Sequence, residues 1–202
     1  MKILKFVPTS GRLHPSAVGE MTRGVDLLLT WDNPYEGERR KKNIQLNFEK
    51  MRRVVLSEGY DKVWVVEEDT IPPRDTLKKF LEVDAPVVTG LYCLRHGYPS
   101  SSVLGFVGDK PGKPIQWDDL KPLWGQTITV AGGCTGCVLI DRKVLEDFSF
   151  MLDNDSPPDG VFMSHCCEKE FMTKARLDVM CGHVREDGKI LWPDKEHGWR
   201  VE

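Results

Sequence analysis

The sequence predicts an α/β protein: a mostly parallel central sheet flanked by helices, with a small irregular or antiparallel C-terminal part. Two observations carry this expectation. As far as residue 94, short apolar runs alternate with helix-length segments, the β-α-β-α order of a sheet with helices packed on it. One of those runs, Val63-Trp64-Val65-Val66, ends in three consecutive carboxylates, Glu67-Glu68-Asp69. That puts acids at the C-terminal end of a strand, the edge where open α/β sheets bind ligands.

Residues 3–7 read as the first strand, ending at Pro8-Thr9-Ser10-Gly11. Residues 14–23 read as a short helix with Pro15 near its first turn. A second buried strand at 25–31 is closed by Asp32-Asn33-Pro34. A long helix is expected over 38–58, because Ile44, Phe48, Met51 and Val55 fall on one apolar stripe and Gly59 is a natural stop. After the acidic strand end, Asp75 is placed to cap a helix carrying Leu77, Phe80 and Leu81, and residues 86–94 form a fourth strand. Residues 95–126 change character. They are rich in Gly, Pro, Ser and Trp, with possible short strands at 103–107 and 127–130, and read as an insertion of a length that is often functional. Gly132-Gly133-Cys134-Thr135-Gly136 leads into a strand at 137–140. Asp141 caps a helix bearing Val144, Leu145 and Phe148, a short helix follows at 159–168, and an alternating strand at 173–181 comes last.

The chain has 202 residues, 40% hydrophobic and 29% charged, enough for one domain with a real core. A net charge of -3 gives no reason to expect a nucleic-acid-binding surface. No run of apolar residues is long enough to cross a membrane as a helix, and the apolar start is too short for a signal peptide, so the expected location is cytoplasmic. Six cysteines are present, and the adjacent pair Cys166-Cys167 does not fit a disulfide framework. Most are expected to be small buried apolar residues.

Clustered carboxylates repel one another unless a cation or a hydrogen-bond donor relieves them. A divalent metal does so while leaving positions for water and phosphate. The alternative is a solvated acidic turn. Cys134-x-x-Cys137 matches half of a zinc site, with Cys166, Cys167 or Cys181 available to complete it.

Taken together, the acidic strand end, the strand ending in Gly90-Leu91-Tyr92, the Gly-rich turn, the acid opening a late helix and Gly182-His183 resemble one family. They are similar to nucleotide-sugar-dependent glycosyltransferases of the GT-A fold, especially the small bacterial and phage members. The resemblance is strongest over residues 60–184. It implies a single Rossmann-like GT-A domain over 1–202, with a nucleotide-sugar-binding half at 1–94 and an acceptor-side, metal-completing half at 95–202. It also implies transfer of a sugar from a UDP- or GDP-type nucleotide-diphosphate sugar to an acceptor hydroxyl, with inversion. Glu67-Glu68-Asp69 stands at the D-x-D position, with Glu67 where Asp is commoner. The implied Mn²⁺ or Mg²⁺ ion is held directly by Asp69, with Glu67 and His183 as further metal ligands; a nitrogen ligand tilts the preference toward Mn²⁺.

Asp159 is the implied general base. It is equally suited to be a helix cap, and Asp153 or Asp155 could be the true counterpart; a retaining enzyme would need no such base. Donor contacts are implied at Pro8, Thr9, Ser10, Asp32, Arg40 of the basic run 39–42, Asn43, Asn47 and Glu68. Gly132, Gly133 and Thr135 of the Gly-rich turn are implied beside the donor sugar. Tyr92, Tyr98, Trp117 and Trp124 would stack on sugars or pack in the core. Two rivals stand beside this reading: a nucleotidyltransferase of similar plan, and a zinc-stabilised cysteine-rich binding module.

Overall fold

The computed structural model describes residues 1–10, 25–30, 34, 40–94, 100–151 and 158–202, with the side chains of residues 40, 41 and 107 left aside. Strands β1 (Ile3–Pro8) and β2 (Asp26–Thr30) precede helix α1 (Arg40–Ser57), which leads to β3 (Lys62–Val66) and the two-residue β4 (Thr70–Ile71). Helix α2 (Thr76–Leu81) and β5 (Val87–Leu91) follow. Then come the hairpin β6 (Val103–Val107) and β7 (Lys110–Pro114), helix α3 (Trp117–Leu120), a 3₁₀ turn, β8 (Thr127–Val130) and β9 (Gly132–Gly133). The chain closes with β10 (Cys137–Asp141), helices α4 (Arg142–Glu146) and α5 (Pro158–Glu168), and strands β11 (Thr173–Met180), β12 (Gly182–Val184), β13 (Ile190–Asp194) and β14 (Gly198–Val201).

The main sheet has seven strands in the order β2-β1-β3-β10-β5-β11-β8. Its apolar runs are continuous because both faces are covered, and alternation sorts them. Leu4, Phe6, Val63, Val65, Val138 and Ile140 face a core shared with Phe48, Met51 and Val55 of α1. Their neighbours Ile3, Val7, Trp64, Val66, Cys137 and Leu139 face Leu77 and Phe80 of α2 on the other side. Four aromatic rings, Phe6, Phe48, Phe150 and Phe162, link the first core at centroid distances of 5.1 to 5.7 Å. Burying each such ring is worth roughly 1.5–3 kcal/mol. A third cluster, with Val103, Trp117, Leu120, Val130 and Leu177, lies under the insertion.

The expected mostly parallel GT-A sheet is corrected here. β1 pairs in parallel with β2 and β3, and β5 with β11, but β10 runs antiparallel to both β3 and β5, and β8 antiparallel to β11. The sheet is mixed. The reason lies in the connection. Parallel neighbours need a crossover that returns the chain to its starting edge. Among the described residues between β5 and β10, the chain forms β6, β7, α3, β8 at the far edge of the sheet and β9, and then re-enters through the Gly-rich turn antiparallel to β5.

Three smaller expectations also change. Ile44 and Leu81 lie off their helices' buried faces, at 46% and 37% exposure. Asp75 and Asp141 make no side-chain cap bond; Asp75 pairs with Lys79 at 3.1 Å and Asp141 pairs with Lys62. The strand at 173–180 is not the last, because β12, β13 and β14 continue into a four-stranded sheet in the order β14-β13-β12-β4. No helix among the described residues is long and apolar enough to cross a membrane.

Candidate functional site

The site is built where the two sheets meet. β3 ends at Val66, and its acids diverge by alternation. Glu68 turns toward β1, where its carboxylate accepts from the Thr9 hydroxyl (2.6 Å), the Ser10 amide (2.8 Å) and the Ser10 hydroxyl (2.6 Å). It ties the ends of β1 and β3 together. Glu67 and Asp69 turn the other way, toward the second sheet.

That sheet delivers His183. β12 pairs with β4, so His183 lies opposite Thr70, and the Val184 amide donates to the Asp69 carbonyl at 2.8 Å. The His183 ring is buried, with Nδ1 2.6 Å from the Cys93 carbonyl and the Tyr92 ring edge-on at 5.3 Å. A carbonyl only accepts, so Nδ1–H donates to it, and in the neutral ring Nε2 presents its lone pair. Nε2 faces the Asp69 Oδ1 at 3.6 Å. In the neutral ring, two electron-rich atoms then face each other across a gap too wide for a hydrogen bond.

Glu67 stands beside this pair. Its Oε1 accepts from the Thr135 hydroxyl at 2.8 Å. Burial, and next the Asp69 charge, push its carboxyl up to about 7; Asp159 adds to this, while the Thr135 hydrogen bond and His183 oppose it. A carboxyl poised near neutrality beside another acid is a frequent mark of a functional site. Among the described residues, no three His, Cys, Asp or Glu side chains are grouped so that together they could hold a metal ion. Asp69 and His183 are in contact, and Glu67 is their electrostatic neighbour.

A cleft of about 320 Å³ opens next to these groups, lined by Leu104, Gly133, Cys134, Asp159, Gly160, Val161 and Met163. Asp159 sits in the first turn of α5, and its Oδ1 accepts from the Gly160 amide at 2.8 Å. Sequence reasoning did not anticipate the apolar lining supplied by Leu104, Val161 and Met163. The signal was the alternation of β6 and the one-turn spacing of Asp159 and Met163, neither of which names a partner surface.

The remaining expected contacts divide. β1 ends at Pro8, and Thr9 and Ser10, which follow it, bond to Glu68. Asn43 and Asn47 are buried in α1, where the Asn47 amide donates to the Asn43 carbonyl at 2.8 Å. Arg40 opens α1. Asp32, Tyr98, Asp153 and Asp155 lie outside the described residues. Gly132 and Gly133 are required by internal packing: a Cβ at Gly132 would sit 2.8 Å from Met163, and one at Gly133 2.5 Å from Thr89. Trp117 and Tyr92 are buried in the core. Cys134 lines the cleft and packs against the core cluster that holds Cys137 and Cys181, but among the described residues no three cysteines, histidines or acids are grouped to hold a metal ion. All six cysteines are free thiols.

No family model matches the chain, and no curated protein matches it. Among solved structures the chain is similar to the crystal structure of A197 from STIV, at 19% identity and a TM-score of 0.66, over 100% of this chain and 93% of that one. At that identity the likeness carries the fold alone. The resemblance to GT-A glycosyltransferases is corrected accordingly. The comparisons attach the chain to the fold of A197 and to no glycosyltransferase family, so neither that membership nor the sugar-transfer activity drawn from it stands, nor does the nucleotidyltransferase alternative.

Proposed function

We propose that the protein binds a divalent cation through Asp69 and His183, with Glu67 as a third ligand, and uses it to hold a diphosphate-bearing ligand of the nucleotide-diphosphate sugar type. The observation that carries this reading is the His183 tautomer. With Nδ1–H donating to the Cys93 carbonyl, Nε2 is the ring nitrogen left facing the Asp69 carboxylate, at 3.6 Å, and in the neutral ring it offers its lone pair there. A shared cation turns that repulsion into attraction, and an imidazole nitrogen with carboxylate oxygens suits Mn²⁺ better than Mg²⁺. Two or three protein ligands leave positions for phosphate oxygens and water. The fixed Nδ1–H contact is the kind of outer-shell bond that orients a ligating histidine.

The neighbouring cleft offers an apolar wall beside one carboxylate, Asp159, for the part of the ligand beyond the phosphates. The ends of β1 and β3, clamped by Glu68, lie on the same edge.

The test is a Mn²⁺ titration by electron paramagnetic resonance, followed by thermal shift with UDP, GDP and their sugar conjugates. One Mn²⁺ per chain is expected, with binding lost in both Asp69→Ala and His183→Ala. At one hundred times its Kd a bound nucleotide stabilises the fold by about 2.7 kcal/mol, and only with the cation present. Undiminished Mn²⁺ binding in Asp69→Ala, or nucleotide stabilisation indifferent to the cation, overturns the proposal.

A further inference from the structure

We propose that Tyr92 is a positioning residue for the cation site: its phenol anchors the Gly-rich turn and, through Thr135, holds Glu67 at the edge of the Asp69–His183 pair. The inference rests on the cation reading above and identifies what controls its third ligand.

Tyr92 is 2% exposed and leaves the end of β5 between the two halves of the site. Its backbone is locked on both sides, with the amide donating to the Ser102 hydroxyl at 3.1 Å and the carbonyl accepting from the Ser102 amide at 2.9 Å. The ring stands edge-on to His183 at 5.3 Å and 84°. The hydroxyl accepts from the Gly136 amide at 2.9 Å. Gly136 in turn accepts from the Glu67 amide at 3.0 Å, and the adjacent Thr135 hydroxyl donates to the Glu67 carboxylate at 2.8 Å.

One side chain therefore touches the imidazole with its ring and the Glu67 segment with its oxygen. The fit is close. A Cβ at Gly136 would lie 2.6 Å from the Tyr92 Cζ and 2.7 Å from its hydroxyl, so the turn is pressed against the phenol. Asp69 and His183 are already registered by the β4–β12 pairing. Glu67 lies outside that ladder, and the Tyr92 strut is what fixes it relative to His183. Phe at this position would keep the ring against His183 and the packing, and delete the hydroxyl's bonds to Gly136 and to the Cys134 thiol, both in the same turn.

The test is a double-mutant cycle read by Mn²⁺ titration. Tyr92→Phe should weaken Mn²⁺ binding about tenfold, the lower end of the range for losing an outer-shell contact. In a Glu67→Gln background the same change should alter it less than about twofold, because the group it positions is gone. A metal-free measurement accompanies it: amide exchange at Gly136 and Glu67 should accelerate about tenfold or more in Tyr92→Phe, with the β1–β3 ladder unchanged. Equal weakening in both backgrounds, or unchanged exchange at those two amides, overturns the role. A wild-type protein that binds no Mn²⁺ overturns the cation reading and this role with it, and the exchange data then show whether the strut itself exists.

Discussion

Replacing Glu67 by Gln removes a charge that the folded protein holds at a cost. Burial and the Asp69 charge raise this carboxyl from 4.5 to about 7. An acid whose pKa rises on folding binds its proton more tightly in the folded state. Its contribution to stability is therefore complete below 4.5 and is lost as pH rises through about 7. At about 1.4 kcal/mol for each pH unit in that window, the loss reaches at most about 3.5 kcal/mol. Gln cannot ionise, yet its side-chain oxygen can still accept from Thr135. Urea unfolding in chelator should find the two proteins nearly equal at about pH 5 and the variant more stable by about 2–3 kcal/mol at about pH 8. Asp178 and Asp194, whose carboxyls are held low by their partners, titrate in both proteins and cancel in the difference. A stability difference that is the same at both pH values would refute the reasoning.

Phe48→Ala should cost about 3–5 kcal/mol in urea unfolding, since the ring is fully buried against Phe6 and Phe150. Gly133→Ala should cost about 1–3 kcal/mol by pressing on Thr89 at 2.5 Å, whereas Gly105→Ala, whose nearest neighbour would be 3.6 Å away, should cost less than about 1 kcal/mol. His165 lies between Phe148 (4.9 Å) and Phe171 (6.3 Å), and its Nε2 is buried without a hydrogen bond among the described residues. Burial, then Lys169, lowers its pKa from 6.5, so the stability it contributes is present above that value and lost as pH falls through the lowered one. His165→Phe should flatten the thermal-stability profile below about pH 6.5; an unchanged acid limb would show that His165 is not its source.

Several elements were legible because local pattern determines them. β6 and β8 fall where short β-rich runs predicted them, and α1 where an apolar stripe did. The split of the three acids was also legible, because alternation along an extended chain separates Glu68 from Glu67 and Asp69. The direction of β10 was not. Cys137-Val138-Leu139-Ile140 reads the same in either orientation, and its place between β3 and β5 depends on which edge the insertion leaves from. The strands after residue 181 were hidden by Pro193, Gly188 and Gly198, which read as loop punctuation. The pairing of Asp69 with His183 could be guessed from residue type, but the Cys93 carbonyl that sets the imidazole tautomer leaves no mark in the sequence, since any residue supplies one. Tyr92 stayed open between ligand platform and core residue, because aromatic type says nothing about which side of a wall the ring occupies.

The position of β10 also governs how this chain can fold. β3 and β5 do not pair with each other; β10 is the wedge between them. Until residues 137–141 have arrived, the β1–β2–β3 group ends in an open edge, and β5 has no partner on that side. The sheet therefore cannot assemble progressively from the N-terminus during synthesis. It must wait for a late segment to insert between two earlier ones, which favours slow closure and exposes unpaired strand edges on the way.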